Sequence, residues 1–349
     1  MLSSNDHQDL LAWYDEHQRD LPWRHTSDPW AILLSEILLQ QTQVSRGMVY
    51  WKRMIDAFPT IESMATSAVD AVLKAWEGAG YYSRARRLHA LSQRVMLPSD
   101  QGGFDGELPG TYEDLLSLPG IGPYTAAAVA SIAFDQPVAC VDGNIRRVMA
   151  RHTAQSDPAP KAVQAWADSA LVSERPGDWN QALMELGATV CTPRRVKCGG
   201  CPIQSTCQGG HEPERFPTPR KSRVKAVSMF AVVEIAADGR PVLHQRPLSG
   251  MFAGLWGPVY HETSSLTPDE DWLACGTVEH LLSHRKLTVQ VYLKTTDVPL
   301  QGTLRSKVAM SSLDEKVLAV AVEHQHAEQK RKGVPQRAKQ VNPETAAWG

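Results

Sequence analysis

Leu108-Pro109-Gly110-Thr111-Tyr112-Glu113-Asp114-Leu115-Leu116-Ser117-Leu118-Pro119-Gly120-Ile121-Gly122-Pro123-Tyr124 opens the stretch, residues 108–151, whose reading decides the fold. Thr111 followed by Asp114 is a capping-box-like helix start, and Leu118-Pro119 ends that helix. Gly120 and Gly122 allow a tight turn, and Pro123 suits the first position of a second helix. The pattern predicts a helix-hairpin-helix. In such a turn, glycines let a phosphate approach backbone N–H groups while the new helix aims its positive end at the same anion. For Gly-x-Gly alone, a helical hairpin in an ordinary bundle is the alternative.

Working outward, Val138 to Val141 reads as a short extended run, and Asp142-Gly143-Asn144 opens another helix. Asp142 suits an N-cap, where amide donors and the helix dipole favour the carboxylate, so its pKa is expected to be depressed. Upstream, Asp28-Pro29 starts a helix predicted from Trp30 to about Val44, with Leu33, Leu34, Ile37 and Leu38 at core spacing and Glu36 in their midst. A carboxyl there is desolvated, which raises its pKa and suits it to general-acid work at neutral pH. A surface position or a core ion pair is the other reading of Glu36. Two carboxyls whose pKa values are pushed apart suggest an acid and an anionic stabiliser.

The 349 residues suffice for two or three domains. No run of about 18 apolar residues spans a bilayer, and the start lacks the regions of a signal peptide. An intracellular protein with no membrane partner is expected, cytoplasmic and nucleoid-associated if bacterial. The net charge of −2 gives no bulk attraction to nucleic acid, although Arg84, Arg86, Arg87, Arg146 and Arg147 could form a local basic face. Cys191, Cys198, Cys201 and Cys207 follow the spacing C-x6-C-x2-C-x5-C, which indicates a metal site rather than a disulfide framework. Spacing alone permits zinc or an iron-sulfur cluster. Cys140 and Cys275 read as packed or isolated thiols.

Arg19 to Arg24 reads as a turn carrying two arginines and an exposed-looking Trp23, and Trp179 to Gly187 as an amphipathic helix. Gly80-Tyr81-Tyr82 precedes another helix, where an aromatic ring could stack between bases. Residues 209–225 are Pro-rich and basic, as a linker would be. Beyond it, Val227 to Ile235 is strand-like, Asp238-Gly239 signals a hairpin with Val242 to Gln245, and Leu287 to Leu293 alternates. Ser312 with Glu315 begins a late helix, and residues from about Glu323 read as a mobile tail.

Taken together, the motifs over residues 8 to 295 resemble the endonuclease III superfamily of helix-hairpin-helix DNA glycosylases, and within it the MutY-type adenine DNA glycosylase family. The resemblance implies a multidomain chain: an all-α helix-hairpin-helix glycosylase module with an iron-sulfur loop, then an α+β Nudix-like domain. In residue numbers it implies a catalytic module at 1–208, with a six-helix barrel at about 28–134 and a cluster subdomain from 1–27 and 135–208. A linker at 209–225, a Nudix-like domain at 226–322 and a disordered tail at 323–349 complete the layout.

The implied activity is removal of adenine mispaired with 8-oxoguanine or guanine in double-stranded DNA, by a monomeric enzyme. Glu36 is then the acid, Asp142 faces the sugar cation, and Tyr124 and Asn144 orient the site. Lyase-type relatives have a lysine where Tyr124 stands, so a monofunctional glycosylase is implied. Arg19, Leu21, Trp23, Arg24 and Gln181 become adenine-pocket residues, while Gln41 and Tyr81 enter the DNA stack. Gly120 and Gly122 bind phosphate, and the four cysteines hold a 4Fe-4S cluster. Leu282, Ser283 and His284 match the loop that recognises 8-oxoguanine, with leucine where the family usually has phenylalanine. The acidic helix of Nudix hydrolases is absent, so pyrophosphate hydrolysis is not expected. A pyrimidine-specific endonuclease III relative and a noncatalytic iron-sulfur DNA-binding protein are the other readings.

Overall fold

A computed structural model describes residues 2–219, 224–263, 269, 272–295 and 301–331. The chain divides into two units, Met1–Lys221 and Ser222–Gly349. Among the described residues the first unit holds α1 (Ser4–His17), α2 (Pro29–Leu39), α3 (Val44–Ala57), α4 (Ile61–Ala65), α5 (Val69–Ala75) and α6 (Ser83–Met96). It continues with α7 (Tyr112–Ser117), α8 (Pro123–Phe134), α9 (Gly143–His152), α10 (Pro160–Ala170) and α11 (Pro176–Thr189). Seven α-helices thus lie in the span expected as a barrel, and α4 and α7 are no longer than six residues.

Helix α2 is buried along nearly its whole length. The Asp28 carboxylate accepts from the Trp30 N–H at 3.0 Å, fixing the start, and every residue from Trp30 to Leu38 is buried. A helix apolar on all sides needs neighbours on all sides, and α3 and α8 supply two of them. Burying each of Leu33, Leu34 and Leu38 contributes about 1.5–3 kcal/mol. The helix ends at Leu39, not near Val44: Gln40 caps it, and Gln41 takes a left-handed φ of 59° that redirects the chain into α3.

The helix-hairpin-helix forms as its local signals require. Thr111 Oγ1 accepts from the Asp114 N–H at 3.1 Å, α7 stops at Ser117, and Gly122 caps α8 with Pro123 in first position. Gly120 has a φ of 83°, and a Cβ there would stand 2.7 Å from the Cβ of Arg87. Backbone and space both exclude a larger residue.

Leu10 and Tyr14 of α1 join Ile145 and Met149 of α9 and Trp179 and Leu183 of α11 in one core, so the N-terminal helix closes onto the later part of the unit. Residues at the start of the expected linker are also fastened here. The Gly209 and Thr218 N–H groups donate to the Arg151 and Ser156 carbonyls, and Arg151 Nε donates to the carbonyls of Pro213 and Phe216.

In the second unit the described strands are β1 (Lys225–Ile235), β2 (Pro241–Val242), β3 (His244–Gln245), β4 (Trp256–Gly257), β5 (Val259–Glu262), β6 (Leu273–Leu281) and β7 (Arg285–Thr295). Four of them run in the order β2-β1-β7-β6, with β5 also paired to β1, and β3 pairs β4 separately. β1 and β7 are parallel, in register from Lys225 opposite Arg285 to Ile235 opposite Thr295. Alternate side chains (Met229, Ala231 and Val233; Leu287, Val289 and Val291) meet Leu313, Val317 and Ala321 of α12 (Ser312–Arg331).

Two expectations change here. Val242 to Gln245 is not one strand, because Leu243 is buried and its N–H bonds Thr303 Oγ1 instead of β1, splitting the run between two sheets. The expected tail is helical as far as Arg331. Ser311, one residue earlier than expected, caps the Asp314 N–H at 3.1 Å, and once Leu313 to Ala321 are packed the helix extends through good helix formers at little further cost. Residues 332–349 of that tail lie outside the described residues. No described helix is long and apolar enough to cross a membrane.

Candidate active site

Three elements bring the predicted acid pair together. Glu36 comes from the buried middle of α2, Tyr124 from the first turn of α8, and Asp142 from the cap of α9. The Tyr124 hydroxyl donates to Glu36 Oε2 at 2.7 Å. Because Tyr124 directly follows Gly122-Pro123, the turn expected to hold phosphate and the residue that grips Glu36 are one local structure.

Burial pushes the Glu36 carboxyl up to about 7; the charge of Asp142 acts in the same direction, while the Tyr124 hydroxyl and the Arg24 cation oppose it. Tyr124 is itself held well above its ordinary value, chiefly by burial and then by Glu36, and so remains a donor at neutral pH. The Cys140 thiol is buried in the core, and burial first, then the charges of both acids, hold it well above its ordinary value.

Asp142 corrects an expectation. It does cap α9, accepting from the Ile145 N–H and from Asn144 Nδ2, each at 2.7 Å. Yet its pKa is raised, because desolvation outweighs those donors and the Arg147 cation. The asymmetry between the acids lies in their partners. Asp142 has donors on both oxygens that stabilise its anion, whereas Glu36 has the one hydroxyl, so of the two acids Glu36 is the one that favours its protonated form.

Asn144 is held in turn: Arg147 Nη2 donates to Asn144 Oδ1 at 2.8 Å and to the Gly187 carbonyl at 2.7 Å, and Arg147 Nε donates to the Cys191 carbonyl at 2.8 Å. Gly187 permits this approach of α11 to α9, since a Cβ there would stand 2.6 Å from the Asn144 Cβ. A continuous set of hydrogen bonds therefore joins the cysteine loop to Asp142.

Beside Glu36, Arg19 and Arg24 both pair with Glu185, which is fully buried: Arg19 Nε to Oε1 at 2.6 Å and Arg24 Nη2 to Oε2 at 2.8 Å. Arg24 Nε also donates to Gln181 Oε1 at 3.3 Å. Leu21 and Trp23 are buried next to these arginines in the chain, so the exposed tryptophan of the sequence reading is corrected. Trp23 instead packs edge-on to Trp51, with ring centroids 6.0 Å apart. Sequence reasoning missed Glu185. Its signal was an acid one helical turn after Gln181, set between Met184 and Leu186 of α11.

Gln41 and Tyr81 are both exposed and both left-handed, with φ of 59° and 47°. Non-glycine residues hold such angles at a cost of about 1–3 kcal/mol, and they cluster at functional sites. Gly122 faces open space: nothing lies within 4 Å of where its Cβ would stand.

Cys191, Cys198, Cys201 and Cys207 line one cavity of ≈ 30 Å³ with Arg151 and Val190. Burial, with the charges of the other three cysteines acting in the same direction, raises the Cys201 thiol to about 12. Arg151 Nη1 donates to Cys191 Sγ at 3.4 Å. Among the described residues no three His, Cys, Asp or Glu side chains are grouped so as to hold a metal ion, although the four cysteines line the same cavity.

In the second unit, Leu282, Ser283 and His284 form the turn between β6 and β7, closed by Leu282 N–H to the Arg285 carbonyl at 2.8 Å. Leu282 leans onto that unit's core, while Ser283 and His284 are exposed.

Residues 34–170 match the family model described as "HhH-GPD superfamily base excision DNA repair protein". The chain is 34% identical to the adenine DNA glycosylase of Rattus norvegicus over 418 aligned positions, covering 94% of this chain and 80% of the relative. It is 41% identical to that of Mycobacterium tuberculosis over 222 positions, covering 61% of this chain and 71% of the relative. Among solved structures, a thermostable thymine-DNA glycosylase superposes with a TM-score of 0.54 at 30% identity, over 59% of this chain and 95% of that one. The chain pairs a helix-hairpin-helix glycosylase fold with a C-terminal sheet-containing unit, carries the enzymatic class of a DNA glycosylase acting in base-excision repair, and belongs to the MutY-type adenine DNA glycosylase family.

Proposed function

We propose that this enzyme removes adenine paired with 8-oxoguanine or guanine in double-stranded DNA, acting as a monomer without strand cleavage. The observation that carries the reading is the buried, Tyr124-bonded Glu36, raised to about 7 and electrostatically coupled to the capped Asp142. Adenine is a poor leaving group until protonated, and its departure leaves oxocarbenium charge on the sugar. Glu36 donates its proton to the base, at N7. Asp142 stays anionic and faces the sugar. Glu36, now a carboxylate, accepts a proton from the water that completes hydrolysis.

The adenine must first leave the stack, at a cost of a few kcal/mol. Gln41 and Tyr81 enter the duplex to hold it open, and Gly120 and Gly122 bind the backbone through N–H groups that read no sequence. Arg19, Leu21, Trp23, Arg24 and Gln181 form the adenine pocket, with Glu185 fixing the two guanidiniums. Tyr124 supports the hydrolytic reading, since a phenol forms no Schiff base with the sugar.

Four thiols around one cavity, with an arginine donating to a sulfur, fit a 4Fe-4S cluster on Cys191, Cys198, Cys201 and Cys207. When bound it supplies structural cross-linking of the loop, and every chemical step described above uses the chain's own side chains. In the second unit, read as Nudix-like, Ser283 and His284 at the exposed turn contact 8-oxoguanine, with Leu282 beside them. Separate incubations with duplexes containing A:8-oxoguanine, A:G or oxidised pyrimidines, with and without alkali, test the reading. Adenine release with strand breaks only after alkali is expected, whereas pyrimidine release or direct breaks would overturn it.

A further inference from the structure

One guanidinium ties together the two left-handed turns that Gln41 and Tyr81 occupy. Arg84, in the first turn of α6, donates from Nη1 to the carbonyls of Ile37 (2.5 Å), Leu38 (3.2 Å) and Gln40 (2.8 Å), satisfying the end of α2. From Nη2 it donates to the carbonyls of Ala79 (3.4 Å) and Gly80 (3.3 Å), immediately before Tyr81. Its cation also sits 5.2 Å from the centre of the Trp76 ring and 5.5 Å from that of Tyr81. Trp76 Nε1 reinforces the second turn by donating to the Gly80 carbonyl at 2.9 Å.

Strained backbone persists only where its surroundings over-determine it. Here a single side chain helps to determine two strained positions about 40 residues apart in the chain. The planar fork matters, because lysine presents one nitrogen and cannot reach carbonyls of both segments in the same geometry. Burial lowers the Arg84 pKa only to about 10, so the cation persists at neutral pH.

We propose that Arg84 is a positioning residue that holds Gln41 and Tyr81 at a fixed separation, so that the two act on the duplex as one rigid element. It touches neither the adenine nor the reacting atoms. The inference rests on the reading of Gln41 and Tyr81 as residues that enter the DNA stack.

A mutant cycle tests it with the full-length protein and an A:8-oxoguanine duplex carrying 2-aminopurine next to the target adenine. Stopped-flow fluorescence reports unstacking, and single-turnover assays report adenine release. Arg84→Lys is expected to slow unstacking about tenfold, within the range found for coupled contacting residues. In the Gln41→Ala/Tyr81→Ala background it is expected to have no further effect. Equal slowing in both backgrounds would overturn the inference, because the effect would then bypass those two side chains. If the alanine pair alone unstacks the duplex at the parental rate, the stacking reading itself fails and the inference falls with it. Should Arg84→Lys fold poorly by thermal melting, Arg84→Gln takes its place in the same cycle, and an undiminished unstacking rate overturns the proposal.

Discussion

Glu36 is 7% exposed, bonded to a half-buried tyrosine and pushed up to about 7, whereas Ser283 and His284 stand in solvent at the β6–β7 turn. The two regions divide the proposed work by their access to water. Proton transfer to a base requires a carboxyl that stays protonated at neutral pH, and here desolvation by packing is the main cause of that, with the Asp142 charge adding to it. Reading an opposing base requires polar groups that can meet its edge, which an exposed turn offers. Variants should therefore lose rate in the first region and discrimination in the second.

Apart from loss of the Glu36 acid itself, Asp142→Asn is expected to have the largest effect. Asparagine caps a helix as well as aspartate does, so α9 should persist while the anion opposite the sugar disappears. Single-turnover adenine release should fall about 10³-fold with duplex affinity little changed. Retention of parental rate would remove Asp142 from the chemistry.

Next comes Glu185→Ala. It leaves the largely buried Arg24 and the half-buried Arg19 without their shared counter-charge, which is expected to destabilise the first unit by about 3 kcal/mol in chemical denaturation. Loss of the same size from Ser283→Ala/His284→Ala would erase the contrast between the regions, because exposed side chains usually contribute within about 0.5 kcal/mol.

Tyr124→Phe separates positioning from acidity. The hydroxyl favours the charged form of Glu36, so its removal should raise that pKa further and move the alkaline limb of the pH–rate profile upward. A rate loss of about tenfold is expected alongside. A limb that moves downward would contradict the assigned donor.

The smallest effect belongs to the second unit. Ser283→Ala with His284→Ala should leave adenine release from A:G nearly unchanged and narrow the preference for A:8-oxoguanine over A:G by about tenfold, roughly one or two lost polar contacts. An unchanged ratio would detach the turn from recognition.

What the sequence revealed followed from how local each signal was. The hairpin, α2 and the Asp142 cap are written in neighbouring residues, and Glu36 was conspicuous as an acid within an apolar run. The pKa of Asp142 was misjudged because capping is local while desolvation depends on what packs over the residue. Glu185 and Arg19 stand 166 residues apart, and no local pattern records their pairing. Arg84 looked like one of several basic residues on a helix until its five carbonyl partners were seen. β6 went unread because only Val278 within it is fully buried, which leaves no alternation to detect.

The central claim is that a protonated Glu36 delivers the proton that frees adenine. Single-turnover release from A:8-oxoguanine duplex, followed against pH for the parental enzyme and Glu36→Gln, tests it most directly. The parental rate should fall as pH rises through about 7, where Glu36 loses its proton. The variant should bind the duplex yet release adenine about 10²- to 10⁴-fold more slowly, with that limb gone. A Glu36→Gln enzyme that keeps both the parental rate and the alkaline limb would contradict the account.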